Sequence, residues 1–250
     1  MIHPIRYGIL AILILAGVNF HASAEQAIPA TPSTVGTNLD ALRAYLRGKS
    51  AIEFVTTFEA SFAASDDNVR GKAHVVFRRP NMFRIEADAA NNSFVLVSDG
   101  SVLTIYDARR RQYAELPARA TLSDNMNLVS GLMGYEARIF DFLAALDRSS
   151  DAGSDVQVTS KGLDAVHGQQ TQLFDVKATT GNWQVWIGSN GTPLPIRLAT
   201  ASIDDPSKTA QTNRFEWKTD PVLASGTFVF SPPPGSKKVA LDELNLAPPE

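Results

Sequence analysis

The feature that most restricts the fold of this chain is a period of two that recurs along most of its length. From Ala51 onward, Phe54, Thr56, Phe58, Ala60 and Phe62 fall on one side of an extended backbone and Val55, Thr57, Glu59 and Ser61 on the other. That is the signature of a half-buried β-strand. The turn cluster Ser65-Asp66-Asp67-Asn68 follows, and then Ala73, Val75 and Phe77 alternate with His74, Val76 and Arg78. Pro80-Asn81 interrupts, and Phe83, Ile85 and Ala87 resume the phase against Arg84, Glu86 and Asp88. Residues 93–98, 102–106, 112–116, 155–160, 171–178, 183–188, 195–202, 210–218 and 227–230 have the same strand character. About ten short strands joined by tight turns predict an antiparallel sheet that curls on itself, because open twisted sheets of that width curl, split or flatten.

Two intervals break the rhythm. Leu39, Leu42, Tyr45 and Leu46 recur at helical spacing, so residues 38–48 are expected to form a short amphipathic helix, with Thr37 and Asp40 at capping-box spacing before it and Gly48-Lys49 at its end. Residues 121–148 carry Leu122, Met126, Leu128, Val129, Leu132 and Met133, then Phe140, Phe142, Leu143, Ala144 and Leu146. Gly131 and Gly134 in the middle divide this into two short helices. Placed between two groups of strands, such helices close the open side of a curved sheet and cover its apolar face, which makes the class mainly β with α (α+β).

The first 24 residues differ from the rest. A weakly positive start with His3 and Arg6, an apolar run over 9–18 and Ala22-Ser23-Ala24 read as a secretory signal peptide cut after Ala24. The run is shorter than the roughly 20 residues a spanning helix needs. The expected organisation is signal peptide 1–24, flexible leader 25–36, one domain over 37–241 and a tail over 242–250. A chain of 250 residues, 44% hydrophobic, has enough length for a sizeable core. With no cysteine it has no disulfide, so its stability must come from that core. A net charge of −3 gives no basic surplus for nucleic acid. Asp107-Ala108-Arg109-Arg110-Arg111 lies between two strand runs and reads as a hairpin turn with solvated arginines, as Asp99-Gly100 marks the hairpin before it.

Enzyme signatures are missing. Only His74 and His167 lie outside the signal peptide, one in a strand and one in a Val166-His167-Gly168 turn, and no G-x-S-x-G, S-x-x-K, H-E-x-x-H or phosphate loop occurs. Asp66-Asp67 and Asp204-Asp205 lack the spacing of a calcium loop. Trp183 and Trp186, three apart in a strand, face opposite sides and make no stacking platform. No metal or cofactor is expected.

Gly71, Phe77-Arg78-Arg79-Pro80-Asn81-Met82-Phe83, Val97-Ser98-Asp99-Gly100, Ile105-Tyr106-Asp107 and Phe228-Val229-Phe230-Ser231-Pro232-Pro233-Pro234-Gly235, in that order, resemble the outer-membrane lipoprotein carriers LolA and LolB. The resemblance covers residues 37–240 and is thin between Leu116 and Ala210. There, Trp183-Gln184-Val185-Trp186-Ile187 and Pro193-Leu194-Pro195-Ile196-Arg197 look more like a sister family of predicted periplasmic proteins of unknown function.

The resemblance implies an incomplete antiparallel β-barrel under a helical lid, in a periplasmic, non-enzymatic carrier, a monomer, whose concave face holds the acyl chains of a lipid or lipoprotein. Inner- or outer-membrane envelope proteins would be its further partners. It also implies a lid-controlling role for Arg79, before the proline of the R-P-N motif, where a guanidinium can bind lid carbonyls; Arg78 beside it competes for the inward position. The expected acyl-facing residues are Phe54, Phe58, Phe62, Phe77, Phe83, Ile85, Leu96, Leu103 and Ile105, with Val75, Phe174, Val176, Val185 and Ile187, and on the lid Met126, Met133, Phe140, Phe142 and Leu143. The same residues also suit an ordinary packed core, and a regulatory or scaffold module that uses its convex face or edge for a protein partner is the alternative. A hydrolase acting on an envelope ester is the third and weakest reading.

Overall fold

The computed structural model describes residues 35–61, 68–89, 93–133, 157–178, 181–201 and 209–244. The expectations for the signal peptide and leader, for Phe62, for Phe140, Phe142 and Leu143, and for both acidic pairs lie outside these residues.

Among the described residues, eleven antiparallel strands and one short parallel one make a single sheet. In chain order they are β1 (Ala51–Ser61), β2 (Asn68–Arg78), β3 (Met82–Ala89), β4 (Ser93–Ser98), β5 (Val102–Asp107), β6 (Gln112–Pro117), β7 (Gln157–Val166), β8 (Gln169–Ala178), β9 (Gly181–Gly188), β10 (Pro195–Ala201), β11 (Thr209–Lys218) and β12 (Lys237–Lys238). Their order across the sheet is β12-β6-β5-β4-β3-β2-β1-β11-β10-β9-β8-β7. The end strands β12 and β7 do not pair with each other, so the sheet is curved and open rather than a closed barrel. Two described α-helices accompany it, α1 (Val35–Arg47) and α2 (Leu122–Met133).

The registers carry the alternation of the sequence into rows across the inner face. One row runs Ala114, Ile105, Leu96, Ile85, Val75, Phe54, Trp217, and a second Leu116, Leu103, Ser98, Phe83, Phe77, Ile52. The apolar members pack in one core with Leu42 and Leu46 of α1, Leu122, Met126 and Val129 of α2, and Phe174, Val176, Val185 and Ile187 from the far strands. Each fully buried Phe or Ile removes enough apolar surface from water to contribute about 1.5–3 kcal/mol, so the inner face is the main source of stability.

Turns follow their residue chemistry. His167 and Gly168 both have positive φ, 51° and 78°, in a two-residue hairpin loop, the arrangement whose twist matches that of the strands it joins. Asp107 caps the turn of the arginine run: its carboxylate accepts the Arg109 and Arg110 amides at 2.9 and 3.0 Å and Arg110 Nη1 at 2.7 Å. These arginines belong to a hairpin tip, as the sequence predicts.

Two expectations are corrected. Helix α1 begins at Val35, so Thr37 lies inside it and does not cap it. A side-chain N-cap is at α2 instead, where Thr121 Oγ1 accepts the Asp124 amide at 3.1 Å and donates to Asp124 Oδ2 at 2.7 Å. Residues 227–230 are not a strand. Phe228 lies under the Arg78 guanidinium at 5.0 Å, and the Phe230 ring meets Tyr106 and Tyr113 at 5.6 and 5.4 Å, so this segment is held on the outer face by its aromatic side chains and joins no ladder. Beyond its proline run it enters the sheet as β12, parallel to β6.

Candidate functional site

Three features converge on the inner face: the apolar rows, the turn that fastens both helices over them, and a polar seam in the middle of the sheet.

Phe54, Phe77, Phe83, Ile85, Leu96, Leu103, Ile105 and Met126 are all buried in the one inner core. Phe58 faces the same side and is half-buried. Met133 ends α2, and its side chain, like Phe62 and Phe142, lies outside the described residues. Near the centre Phe54, Phe215 and Trp217 form an aromatic group with ring centroids 4.6–5.7 Å apart, and the Trp217 indole N–H donates to Pro195 O at 2.6 Å. Trp183 and Trp186 do face opposite sides, Trp183 in the inner core and Trp186 in a small outer cluster with Val166 and Ala199.

The Arg79-Pro80-Asn81 turn is a junction, and the Arg79–Pro80 bond is cis. Arg79 Nη2 donates to Leu46 O in the last turn of α1, where carbonyls have no partner within the helix, and Nε to Lys49 O just beyond it, both at 3.3 Å. Pro80 O accepts the Leu122 amide at 2.7 Å, at the start of α2. Asn81 Nδ2 donates to Gly100 O at 2.8 Å and to Arg119 O at 2.9 Å, tying the β4–β5 hairpin to the linker before α2. From the first turn of α2 the fully buried Asn125 reaches back to that linker, where it accepts the Arg119 amide and donates to Arg119 O and Thr121 O. Three consecutive residues therefore hold the ends of both helices.

The sequence reading missed the seam. Thr56, Asn213, Gln211 and Thr200 face the inner side beside Phe58, Leu198 and Ala60, and none is more than 2% exposed. Asn213 Nδ2 donates to Thr56 Oγ1 at 3.3 Å. Asn213 Oδ1 and Gln211 Oε1 are buried with no hydrogen-bond partner among the described residues. A polar atom buried in this way costs about 1–3 kcal/mol, and native interiors rarely tolerate it without a reason. The signal was present in the sequence: carrying the phase of Phe215 and Trp217 two and four residues back puts Asn213 and Gln211 on the same face.

The outer face differs in character. His74 Nε2 and Glu53 Oε1 are 3.0 Å apart, and Lys218 Nζ lies 3.1 Å from Glu53 Oε2. Burial alone would raise the Glu53 carboxyl, but the hydrogen bonds from Lys218 and His74 outweigh it and hold the group below the usual glutamate range. A groove of about 420 Å³ crosses β1, β11 and β10, lined by Val55, Thr57, Ile196, Arg214 and Glu216, with Val166 and His167 at its side. Among the described residues no group of three His, Asp or Glu side chains is placed to hold a metal.

Residues 38–242 match the family described as "Predicted periplasmic protein (DUF2092)". The chain belongs to this family. The likeness of the Trp183–Ile187 and Pro193–Arg197 stretches to a sister family of periplasmic proteins is thereby borne out. No curated protein matches the sequence. Among solved structures, this DUF2092 member is similar to an uncharacterised conserved protein of Thermus thermophilus, at 12% identity over 81% of this chain and 96% of that one, TM-score 0.48. It is also similar to lipoprotein LppX of Mycobacterium tuberculosis, at 8% identity over 77% and 99%, TM-score 0.40. A LolA superfamily protein of Nitrosomonas europaea is similar at 7% identity over 79% and 98%, TM-score 0.34.

Proposed function

We propose that this chain is a non-enzymatic binding or carrier protein of the periplasm that holds the acyl chains of a lipid or lipoprotein against the inner face of its open sheet, beneath the helices. The observation that supports this most is the inner face itself, with apolar rows continuous from Ala114 to Trp217 across seven strands and helices fastened over them at a single turn. A sheet left open along both edges can admit a long apolar ligand by moving the helices instead of breaking the strand ladder. In this reading residues 1–24 are a signal peptide cut after Ala24, 25–36 a leader, 37–241 the binding domain and 242–250 a tail. Arg79 acts at the lid by holding the carbonyls of α1 and releasing them when a ligand displaces the helix.

The test is to purify the mature protein from its native envelope without detergent and examine it by native mass spectrometry, followed by lipid extraction. A reproducible acyl species that disappears in a folded Phe58→Glu variant supports the reading. A ligand-free mass that takes up neither added phospholipid nor acylated peptide overturns it.

The groove on the outer face favours a second reading, an envelope regulatory or scaffold module. Its apolar floor with Arg214 and Glu216 beside it suits a peptide of mixed character. In that case a Val55→Lys substitution would abolish partner binding and leave lipid uptake unchanged.

A further inference from the structure

We infer that the acyl ligand carries a hydrogen-bond donor, a hydroxyl or an amide N–H, that is read by the amide oxygens of Asn213 and Gln211 on the floor of the inner face. This rests on the acyl-binding reading and deepens it. Both side chains are at least nine-tenths buried, both face the side on which the helices lie, and each presents one amide oxygen without a partner among the described residues. The Asn213 amide nitrogen donates to Thr56 Oγ1, whose own proton goes to Thr57 O, and this leaves the Asn213 oxygen as the free acceptor. A plain hydrocarbon chain would leave both oxygens unpaired; one with a donor at this level would satisfy one of them.

The surroundings set the character of that donor. The cross-strand neighbours of Asn213 are Phe58 and Leu198, and those of Gln211 are Ala60 and Thr200. No carboxylate stands among them to balance an ammonium group, so the donor is neutral. The donor also sits near one end of an apolar track. Trp217 is four residues from Asn213 along the strand, about 13 Å at some 3.3 Å per residue, and the Phe54–Phe215–Trp217 group lies along that path. A chain whose donor lies close to its carboxyl end places its hydrocarbon over these rings. A 3-hydroxyacyl chain and an N-acylated headgroup both have this form.

The experiment compares the binding of dodecanoate, 3-hydroxydodecanoate and N-dodecanoylglycine to the full mature protein by calorimetry, below their micelle concentrations. The wild type is expected to bind one or both donor-bearing probes roughly tenfold more tightly than dodecanoate, the value of about one well-made hydrogen bond. Which probe gains identifies the source of the donor. In Asn213→Leu/Gln211→Met the advantage over dodecanoate disappears. Equal affinities for all three probes in the wild type overturn the inference and leave acyl binding standing, and this comparison holds even where the variant fails to fold. Binding of none of the three overturns acyl binding as well.

Discussion

The ring of Phe58 occupies the space that a β-carbon on Gly71 would need: such an atom would stand 2.3 Å from Phe58 Cζ and 2.7 Å from Asp88 O. The two residues are cross-strand partners on β1 and β2, so the missing side chain of one is what lets the other lie flat on the inner face. Gly71→Ala should therefore destabilise the fold by about 2–3 kcal/mol in urea unfolding, the usual cost of overpacking a tight site. Adding Phe58→Leu should recover part of this loss and not all of it, because the Asp88 carbonyl remains. Full additivity of the two changes would show that the ring and the new methyl group do not meet.

Arg79→Leu should loosen α1. Amides of α1 near Leu46 should exchange faster, and global stability should fall by about 1–2 kcal/mol, since charge-assisted bonds to one carbonyl in the last turn of α1 and one just beyond it are lost. Arg79→Lys should restore little, because an ammonium cannot reproduce the forked geometry that serves Leu46 O and Lys49 O together. Unchanged exchange in α1 would remove Arg79 from the helix anchor.

Asn81→Ala should cost about 2–3 kcal/mol, since Gly100 O and Arg119 O each lose a donor. Asn81→Asp should be worse at neutral pH, where a carboxylate would face the same two carbonyl oxygens, and the gap between the two variants should narrow in acid. An Asp variant as stable as the wild type at pH 7 would contradict the donor role.

At the β4–β5 turn the amides of Val102 and Ser101, both 2.8 Å from Asp99 Oδ1, hold the Asp99 carboxyl below its ordinary value of 3.8. A depressed folded-state value means that the contribution is fully present above about pH 4 and is lost as pH falls through the lower folded value. Wild type and Asp99→Ala should differ by about 1 kcal/mol or less at pH 7, because solvent screens this exposed turn, and the melting temperatures should converge towards pH 2. A difference that persists unchanged in acid would point to the turn backbone instead of the charge.

The sequence was most legible where alternation and turn chemistry agree. Strand β4 has the bounds its pattern predicts, and His167-Gly168 turns where expected, because a half-buried strand and a left-handed turn both impose local requirements on residue type. It was least legible where tertiary contacts override local preference. Phe228-Val229-Phe230 has the composition of a strand, yet its rings are spent on Tyr106, Tyr113 and Arg78, and no neighbouring strand offers a ladder. Thr37 has the spacing of a cap, but nothing local requires α1 to start after it. For the candidate site, the apolar inner face could be read directly from the alternation. The seam was harder to see: the same phase carries Asn213 and Gln211 inward, but they are residue types usually assigned to solvent, and the register of β11 against β1 and β10 is what confirms their place.

The strand order has a consequence for the timing of assembly. Among the described strands, and apart from the short β12, every pair of neighbours is consecutive in the chain except β1 beside β11. The molecule is thus two ribbons of local hairpins, each able to zip up from its own turns, joined along one line where Thr56 meets Asn213 across 157 residues. Local pairing is quick and distant pairing slow, so that joint is expected to close last. Phe54 with Trp217, Thr56 with Phe215 and Phe58 with Asn213 are the pairs that close it, and they are also the floor of the candidate site. A nascent chain therefore completes the floor of the candidate site only in the final step of becoming folded.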